Sequence, residues 1–185
     1  MDPRRAPAAA AKAFSPVPVP RCAAGVTKVV TAYGSTRYDG GMTGHVAHAS
    51  VTVDATPQEA WRALTDPELV RTWMVGTDVS TDWQVGSPIT WQGEINGKPY
   101  QDKGEVLESD PPRRLSMTHY SPLMGQEDRP ENYHTVTYTL SIDGAVGATT
   151  VTLEQDGNVS QEQAEQFSQN WQSMLESFRS TVEGR

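Results

Sequence analysis

Residues 160–182 read SQEQAEQFSQNWQSMLESFRSTV, and their apolar residues recur at steps of three and four. This spacing places one side-chain stripe along an α-helix, formed by Phe167, Trp171, Met174, Leu175, Phe178 and Val182. Ser160 with Gln163 is a capping-box signature for the helix start, and Gly184 is a stop signal. The opposite side carries polar residues that suit water: Gln161, Glu165, Gln169, Gln172 and Glu176. So wide an aromatic stripe requires a large apolar partner, and we expect a sheet curved around this helix.

The chain before this helix has the signals of strands and two short helices. After an alternating strand that ends at Val53, Thr56-Pro57-Gln58-Glu59 and Thr65-Asp66-Pro67-Glu68 each carry helix-start signals. From Val75 to Gln155 apolar and polar residues alternate between turn signals, and Asn96-Gly97 is a strong hairpin signal. The connections are short, so the strands are expected to be antiparallel. We predict an α+β fold: one strand, two short helices, about six strands and the long helix.

Charge and cysteine content exclude several classes of function. The formal net charge is −8, of which residues 1–41 contribute +4 and residues 42–185 contribute −12. Phosphate backbones repel an acidic domain, so no nucleic-acid partner is expected. Cys22 is the only cysteine, which excludes an intrachain disulfide and a multi-cysteine metal site and fits a reducing, cytoplasmic location. The sequence contains no run of about 18 apolar residues, so no membrane span is predicted.

Residues 1–44 differ from the rest of the chain. Prolines at positions 3, 7, 16, 18 and 20 interrupt any periodic pattern, and this composition is typical of disorder. Two alternatives are that translation begins at Met42, which would make the earlier residues an artificial extension, and that the basic residues form a transit peptide. The folded domain is predicted to span residues 45–183.

Several local motifs resemble one protein family. The opening VTVDATPQEAWRALTDPE at residues 51–68 is similar to that of bacterial SRPBCC, or START-like, proteins related to the C-terminal domain of the activator of Hsp90 ATPase. Further matching positions are Trp73, Asp82, Val85-Gly86, Gly104-Glu105-Val106-Leu107 and Pro112-Arg113-Arg114-Leu115. The sequence departs from the family where Ser87 follows Gly86 and in the long loop Ser121 to Glu131. The resemblance implies a helix-grip fold, in which six or seven curved antiparallel strands surround the C-terminal helix.

The resemblance also implies a cavity between sheet and helix, which other members use for lipids, polyketides and other hydrophobic ligands. Apolar walls with a few polar groups are what such a pocket requires. Residues with these properties on predicted inner faces are Trp91, Met117, His119, His134, Tyr138, Trp171 and Met174. The simpler interpretation of the tryptophans and Met174 is core packing.

His119 and His134 flank one loop on predicted inner faces, so they are expected to face each other across adjacent strands. A neutral imidazole there can bind a ligand or act as a general base. The alternative is a pair of structural histidines with satisfied hydrogen bonds. A zinc site would need a third ligand, and the sequence offers only Glu131 or Asp128 as candidates. We therefore predict no metal or other cofactor.

The remaining charged residues suggest surface features. Asp102, Lys103 and Glu105 are expected to form charge pairs on the outer face of the sheet. The run from Glu127 to Glu131 is either a solvated loop or a gate at the pocket mouth.

Three functions remain open. The first is binding of a small hydrophobic molecule without catalysis. The second is a polyketide cyclase or aromatase in which His119 or His134 transfers protons. The third, implied by the family resemblance alone, is docking to an Hsp90-type chaperone. No serine-hydrolase elbow, HExxH helix or phosphate-binding glycine loop is present in the sequence.

Overall fold

The computed structural model describes residues 44–142 and 147–184. The predicted N-terminal extension up to residue 43 and the predicted Asp143-Gly144 turn lie outside these residues. In chain order the elements are β1 (His45–Val53), α1 (Pro57–Thr65), α2 (Pro67–Trp73), β2 (Asp78–Ser80), β3 (Pro88–Ile95), β4 (Lys98–Asp110), β5 (Arg114–His119), β6 (His134–Ile142), β7 (Thr149–Asn158) and α3 (Gln161–Val182). Two 3-10 turns, Pro122–Met124 and Pro130–Asn132, lie between β5 and β6.

The strands form one antiparallel sheet in the order β1-β7-β6-β5-β4-β3-β2. The sheet curves around α3, and α1 and α2 follow the first strand, so the predicted α+β helix-grip fold is confirmed. The Asn96-Gly97 prediction is also confirmed, because both residues have positive φ (53° and 75°) and join β3 to β4. Within the described residues, no helix is both long and apolar enough to cross a bilayer.

Helix α3 begins where the capping signature places it. The Ser160 hydroxyl accepts a hydrogen bond from the Gln163 backbone N–H at 3.1 Å, and the Gln163 side chain accepts one from the Val159 N–H at 2.8 Å. On the predicted apolar stripe, Leu175 and Phe178 are fully buried. Trp171, Met174 and Val182 are partly buried against the same core. The stripe therefore faces the sheet, as predicted.

The polar side of α3 does more than face water. Gln172 accepts a hydrogen bond from the Ser50 N–H at 3.3 Å and donates one to the Ser50 carbonyl at 3.1 Å. Nearby, the Ser168 hydroxyl accepts from the His48 N–H at 2.9 Å. These groups belong to the edge of β1 that pairs with no strand in the described part of the chain. Side chains of α3 thus cover an edge that would otherwise be open to pairing with another chain.

The two short helices bring an indole ring to the core. Thr56 and Glu59 form the predicted capping box of α1, and Asp66 caps α2. The Trp73 indole N–H, at the end of α2, donates to the Ala63 carbonyl at 2.9 Å. The ring packs edge-on against Phe178, with centroids 5.5 Å apart. Trp73 therefore fixes α1 and α2 against α3 and forms one wall of the space beside it.

Candidate functional site

A cavity lies between the sheet, α2 and α3, and we call it the aromatic cavity. Its lining residues are Leu64, Val70, Trp73, Met74, Trp83, Trp91, Tyr100, Asp102, Leu115, Met117, His119, Val136, Tyr138 and Trp171. Four of them are tryptophans, and Asp102 and His119 are the groups among them able to carry charge at neutral pH. The site is therefore an apolar, largely aromatic wall with one polar end.

Asp102 and His119 form this polar end. His119 Nε2 lies 3.1 Å from Asp102 Oδ2, and the two side chains are only 24% and 14% exposed. A carboxylate oxygen only accepts, so the imidazole carries its proton on Nε2 and donates it. The His119 ring also contacts Trp91 edge-on, with centroids 5.2 Å apart. We call these residues the Asp102–His119 pair.

The second oxygen of Asp102 has no hydrogen-bond partner among the residues that the structure describes. Asp102 Oδ1 is buried, and no described residue forms a hydrogen bond with it. More than 90% of buried polar groups in proteins are paired, so an exception calls for an explanation such as a ligand or an ordered water. Leaving such an oxygen unpaired costs about 1–3 kcal/mol.

Two phenols complete the polar inventory of the cavity. The Tyr100 hydroxyl lies 2.7 Å from Thr77 Oγ1, which itself donates to the Met74 carbonyl at 2.8 Å. Burial raises the pKa of Tyr100, and the charge of Asp102 raises it further, while the hydrogen bond to Thr77 opposes both. Burial alone raises the pKa of Tyr138. Both phenols are therefore neutral near pH 7.

Trp83 contributes its ring from a strained backbone. Its φ is +61°, a conformation rarely adopted by a bulky residue. The Thr81 hydroxyl and the Asp82 carboxylate hold the segment by accepting hydrogen bonds from the Trp83 and Gln84 N–H groups. Strain of this kind costs about 1–3 kcal/mol and clusters at ligand clamps and active sites.

Five of the seven residues predicted to contact a ligand line the aromatic cavity: Trp91, Met117, His119, Tyr138 and Trp171. Trp171 is fixed by its indole N–H, which donates to Gln155 Oε1 at 2.6 Å. Met174 packs against the core and is not among the lining residues.

His134 also lies outside the cavity wall. It pairs in register with His119 across β5 and β6, as predicted. Its Nδ1 is 2.7 Å from the Asp156 carbonyl, to which it donates, and its ring packs against Phe167. Burial lowers the pKa of His134. The structural interpretation of this histidine therefore fits its surroundings, and the two histidines do not share one site.

The expected charge pairing of Asp102 on the outer face of the sheet is wrong. Because side chains alternate along β4, Asp102 shares the inner face with Val106, while Lys103 and Glu105 point outward. Lys103 pairs instead with Asp128, which also accepts a hydrogen bond from the Tyr133 hydroxyl.

This contact also places the loop after β5. Asp128 holds the loop against the outer face of the sheet, and none of residues 121–131 is among the residues that line the aromatic cavity. Of the two interpretations of the run from Glu127 to Glu131, this placement fits a solvated loop and does not fit a gate at the cavity mouth. In the described part of the chain, no group of three or more histidine, cysteine or acidic side chains is placed to bind a metal.

Sequence reasoning missed Asp102, Tyr100 and Trp83 as site residues. For Asp102 a signal was available, since it lies four residues before the apolar Val106 on one strand and so shares its face. Tyr100 follows from the same alternation. Trp83 lies in a loop, and no periodicity indicated where its ring would point.

The aromatic cavity is small. Its volume is about 60 Å³, whereas pockets for drug-sized ligands measure about 300–1,000 Å³. A water molecule needs about 10–15 Å³ on this measure, so the space holds about four waters or a group of about as many heavy atoms. The cavity between sheet and helix that the resemblance implies is thus small here, and four indole rings form part of its wall.

Comparison with protein families gives one match over most of the chain. A family model described as Activator of Hsp90 ATPase homolog 1-like protein matches residues 54–183. No curated protein matches the sequence significantly.

Solved structures of similar fold cover the same region. ChR145 from Cytophaga hutchinsonii is 37% identical with a TM-score of 0.66, and the match covers 78% of this chain and 97% of that chain. MLL2253 from Mesorhizobium loti is 22% identical with a TM-score of 0.60, covering 76% of this chain and 98% of that chain. DynU16, a protein of the dynemicin biosynthetic locus, is 22% identical with a TM-score of 0.60, covering 75% of this chain and 47% of that chain. The last two likenesses concern the fold alone.

Proposed function

Since the chain belongs to the Activator of Hsp90 ATPase homolog 1-like protein family, we propose that it binds a small, largely apolar molecule in the aromatic cavity. The observation that carries the proposal is the buried Asp102 Oδ1, which has no hydrogen-bond partner among the described residues. A core that served packing alone would be as stable or more stable with apolar side chains in place of the Asp102–His119 pair. Proteins keep destabilising groups of this kind where function needs them.

The walls define what the molecule must look like. Indole and aliphatic surfaces gain free energy when they contact apolar atoms, and one polar group at the Asp102–His119 pair sets the orientation of the ligand. At about 60 Å³ the cavity admits a small group. A larger ligand requires the walls to move, and the strained segment around Trp83 is the part of the wall with stored strain to release.

Native mass spectrometry of protein purified from its own host tests this function. We expect a retained small molecule in the wild type and its loss in Val136→Phe, which places a ring in the cavity. Val85→Phe is the matched control, because Val85 is 64% exposed. Wild-type protein that carries no small molecule, or equal retention in Val136→Phe, would contradict the proposal.

The Asp102–His119 pair supports a second candidate, proton transfer. A carboxylate that orients a histidine and stabilises its protonated form is a recurring arrangement for general-base catalysis. His119 would accept a proton from the ligand at the ring nitrogen not bound to Asp102. A polyketide-like substrate, one of the three alternatives left open by the sequence, would require the walls to move, so a cavity of about 60 Å³ favours a smaller substrate.

Exchange into the bound ligand separates catalysis from binding. Protein with its retained ligand is incubated in D₂O, and the ligand is analysed by mass spectrometry for deuterium at carbon. Proton transfer predicts deuterium incorporation that His119→Ala abolishes while the ligand stays bound. Absence of incorporation in the wild type leaves binding as the function.

Two further expectations stay predictions. Docking to an Hsp90-type chaperone follows from the family alone, and a pull-down against the host chaperone tests it. A cytoplasmic location rests on the single cysteine and is tested by cell fractionation.

A further inference from the structure

The chemistry around Asp102 narrows the class of ligand, given the function proposed above. An ionised carboxylate has no hydrogen to donate, so whatever satisfies Asp102 Oδ1 must be a donor. His119 already occupies the other oxygen, Oδ2. The ligand group that reaches this end of the aromatic cavity therefore carries an N–H or an O–H.

The charge balance of the wall favours a cation. Of the lining residues, Asp102 is the acid, none is a lysine or an arginine, and the phenols of Tyr100 and Tyr138 are neutral because burial raises the pKa of each. The carboxylate of Asp102 is thus the negative charge that the wall presents to a ligand. An anionic ligand would be repelled by this charge, because no lysine or arginine in the wall compensates it. A neutral ligand would leave the partly buried carboxylate without a counter-charge.

The aromatic rings favour the same ligand. Trp73 and Trp171 use their indole N–H groups on the Ala63 carbonyl and on Gln155, so what they contribute to the cavity is carbon ring surface. The faces of indole and phenol rings attract ammonium groups, and tryptophan does so most strongly. Rings around a single carboxylate are thus complementary to a positive group with an apolar body.

From these contacts we infer that the aromatic cavity binds a small protonated amine, which donates an N–H to Asp102 Oδ1 while its alkyl groups pack on the indole rings. The cavity volume of about 60 Å³ suits an ammonium group with a few carbon atoms. Other parts of a larger amine would extend past the Asp102–His119 pair, which retains some exposure to solvent.

An NMR titration with two probes of equal shape tests this assignment. The probes are tert-butylammonium and tert-butanol at pH 8, where an ordinary imidazole is neutral and an alkylammonium is charged. The indole N–H resonances of Trp73, Trp83, Trp91 and Trp171 report on the cavity, and that of Trp61 on α1 is an internal reference, because Trp61 does not line it. We expect the ammonium to bind at least about tenfold more tightly than the alcohol, since a charge-assisted hydrogen bond is about twice as strong as a neutral one.

Two variants show whether the difference arises at Asp102. In Asp102→Asn the affinities of the two probes should differ by no more than about threefold. This ratio corresponds to a difference in binding free energy of about 0.7 kcal/mol or less. Glu105→Gln removes an exposed carboxylate three positions further along β4 and should keep the wild-type ratio.

Each outcome decides the cation assignment. Equal binding of the two probes by the wild type overturns it and leaves the proposed function standing, because the cavity then takes apolar molecules without regard to charge. Binding of neither probe also overturns it, and the proposed function is then tested only by native mass spectrometry of the host-purified protein. An ammonium preference that persists in Asp102→Asn places the cation elsewhere and overturns it as well.

Discussion

Asp102 is an acidic residue at a strand position that faces the core and lines the aromatic cavity. It occupies an inward position of β4, yet it carries a carboxylate with one oxygen bound to His119 and the other without a partner among the described residues. A buried oxygen without a hydrogen bond costs stability. We therefore propose that Asp102 serves function and not the fold.

Replacing the Asp102–His119 pair as a whole should stabilise the protein. Asp102→Val combined with His119→Val removes the buried carboxylate without leaving the imidazole N–H unpaired, and it introduces β-branched residues that suit strands. We therefore expect the free energy of unfolding to rise by about 1 kcal/mol. Urea denaturation monitored by tryptophan fluorescence measures it. Destabilisation by more than about 1 kcal/mol would mean that the pair holds the fold together.

His134 makes the stability depend on pH. Burial lowers the pKa of His134 in the folded protein, whereas in the unfolded chain the ordinary value of about 6.5 applies. Below that pH the unfolded state binds more protons than the folded state, so stability falls as the pH falls, by at most about 1.4 kcal/mol per pH unit.

Denaturation midpoints between pH 7.5 and 5.5 measure this slope. His134→Gln keeps a side-chain donor for the Asp156 carbonyl but cannot be protonated, so its stability should change less over this range than that of the wild type. His45→Gln, at an exposed position, tests whether the loss of any histidine has the same effect. An unchanged slope in His134→Gln would contradict the assignment.

At the scale of the elements, local signals were sufficient where the chain interacts with its near neighbours in sequence. The capping box at Thr56, the N-cap at Ser160 and the Asn96-Gly97 hairpin were predictable because each involves residues within four positions of one another. The contact of Gln172 with Ser50 joins residues 122 positions apart. No periodicity in α3 reveals it, because a glutamine that bonds a strand edge and one that faces water look alike in sequence.

Gly104 shows how tightly two elements are joined. A Cβ built on this residue would lie 1.8 Å from the Thr118 carbonyl oxygen, so β4 and β5 approach each other where only glycine fits. We expect Gly104→Ala to lower the free energy of unfolding by about 2–3 kcal/mol, the cost typical of overpacking. The measurement is the urea midpoint.

A neighbouring substitution controls for this experiment. Glu105→Ala changes an exposed side chain on the same strand and should shift stability by no more than about 0.5 kcal/mol. If Gly104→Ala were as stable as the wild type, the close approach of β4 and β5 would not exist in solution.

At the scale of the whole molecule, the sequence predicted the architecture better than the site. Element order follows from hydrophobic periodicity and turns, and the helix-grip fold was implied by the resemblance to the family. The size of the aromatic cavity depends on how much of the space beside α3 is occupied by the rings of Trp73, Trp83, Trp91 and Trp171, which no local pattern encodes. The two histidines differ in the same way. Alternation along the strand was sufficient to place His119 on the inner face, whereas the position of His134 outside the cavity involves a hydrogen bond to the Asp156 carbonyl, which is distant in sequence.

The most direct test of ligand binding is a high-resolution crystal structure of the protein purified from its own host without added ligand. We expect continuous density larger than a water molecule, enclosed by Trp91 and Trp171 and within hydrogen-bond distance of Asp102 Oδ1. An aromatic cavity that is empty, or that holds only a single ordered water bonded to Oδ1, would contradict the proposal that the protein is a small-molecule binder.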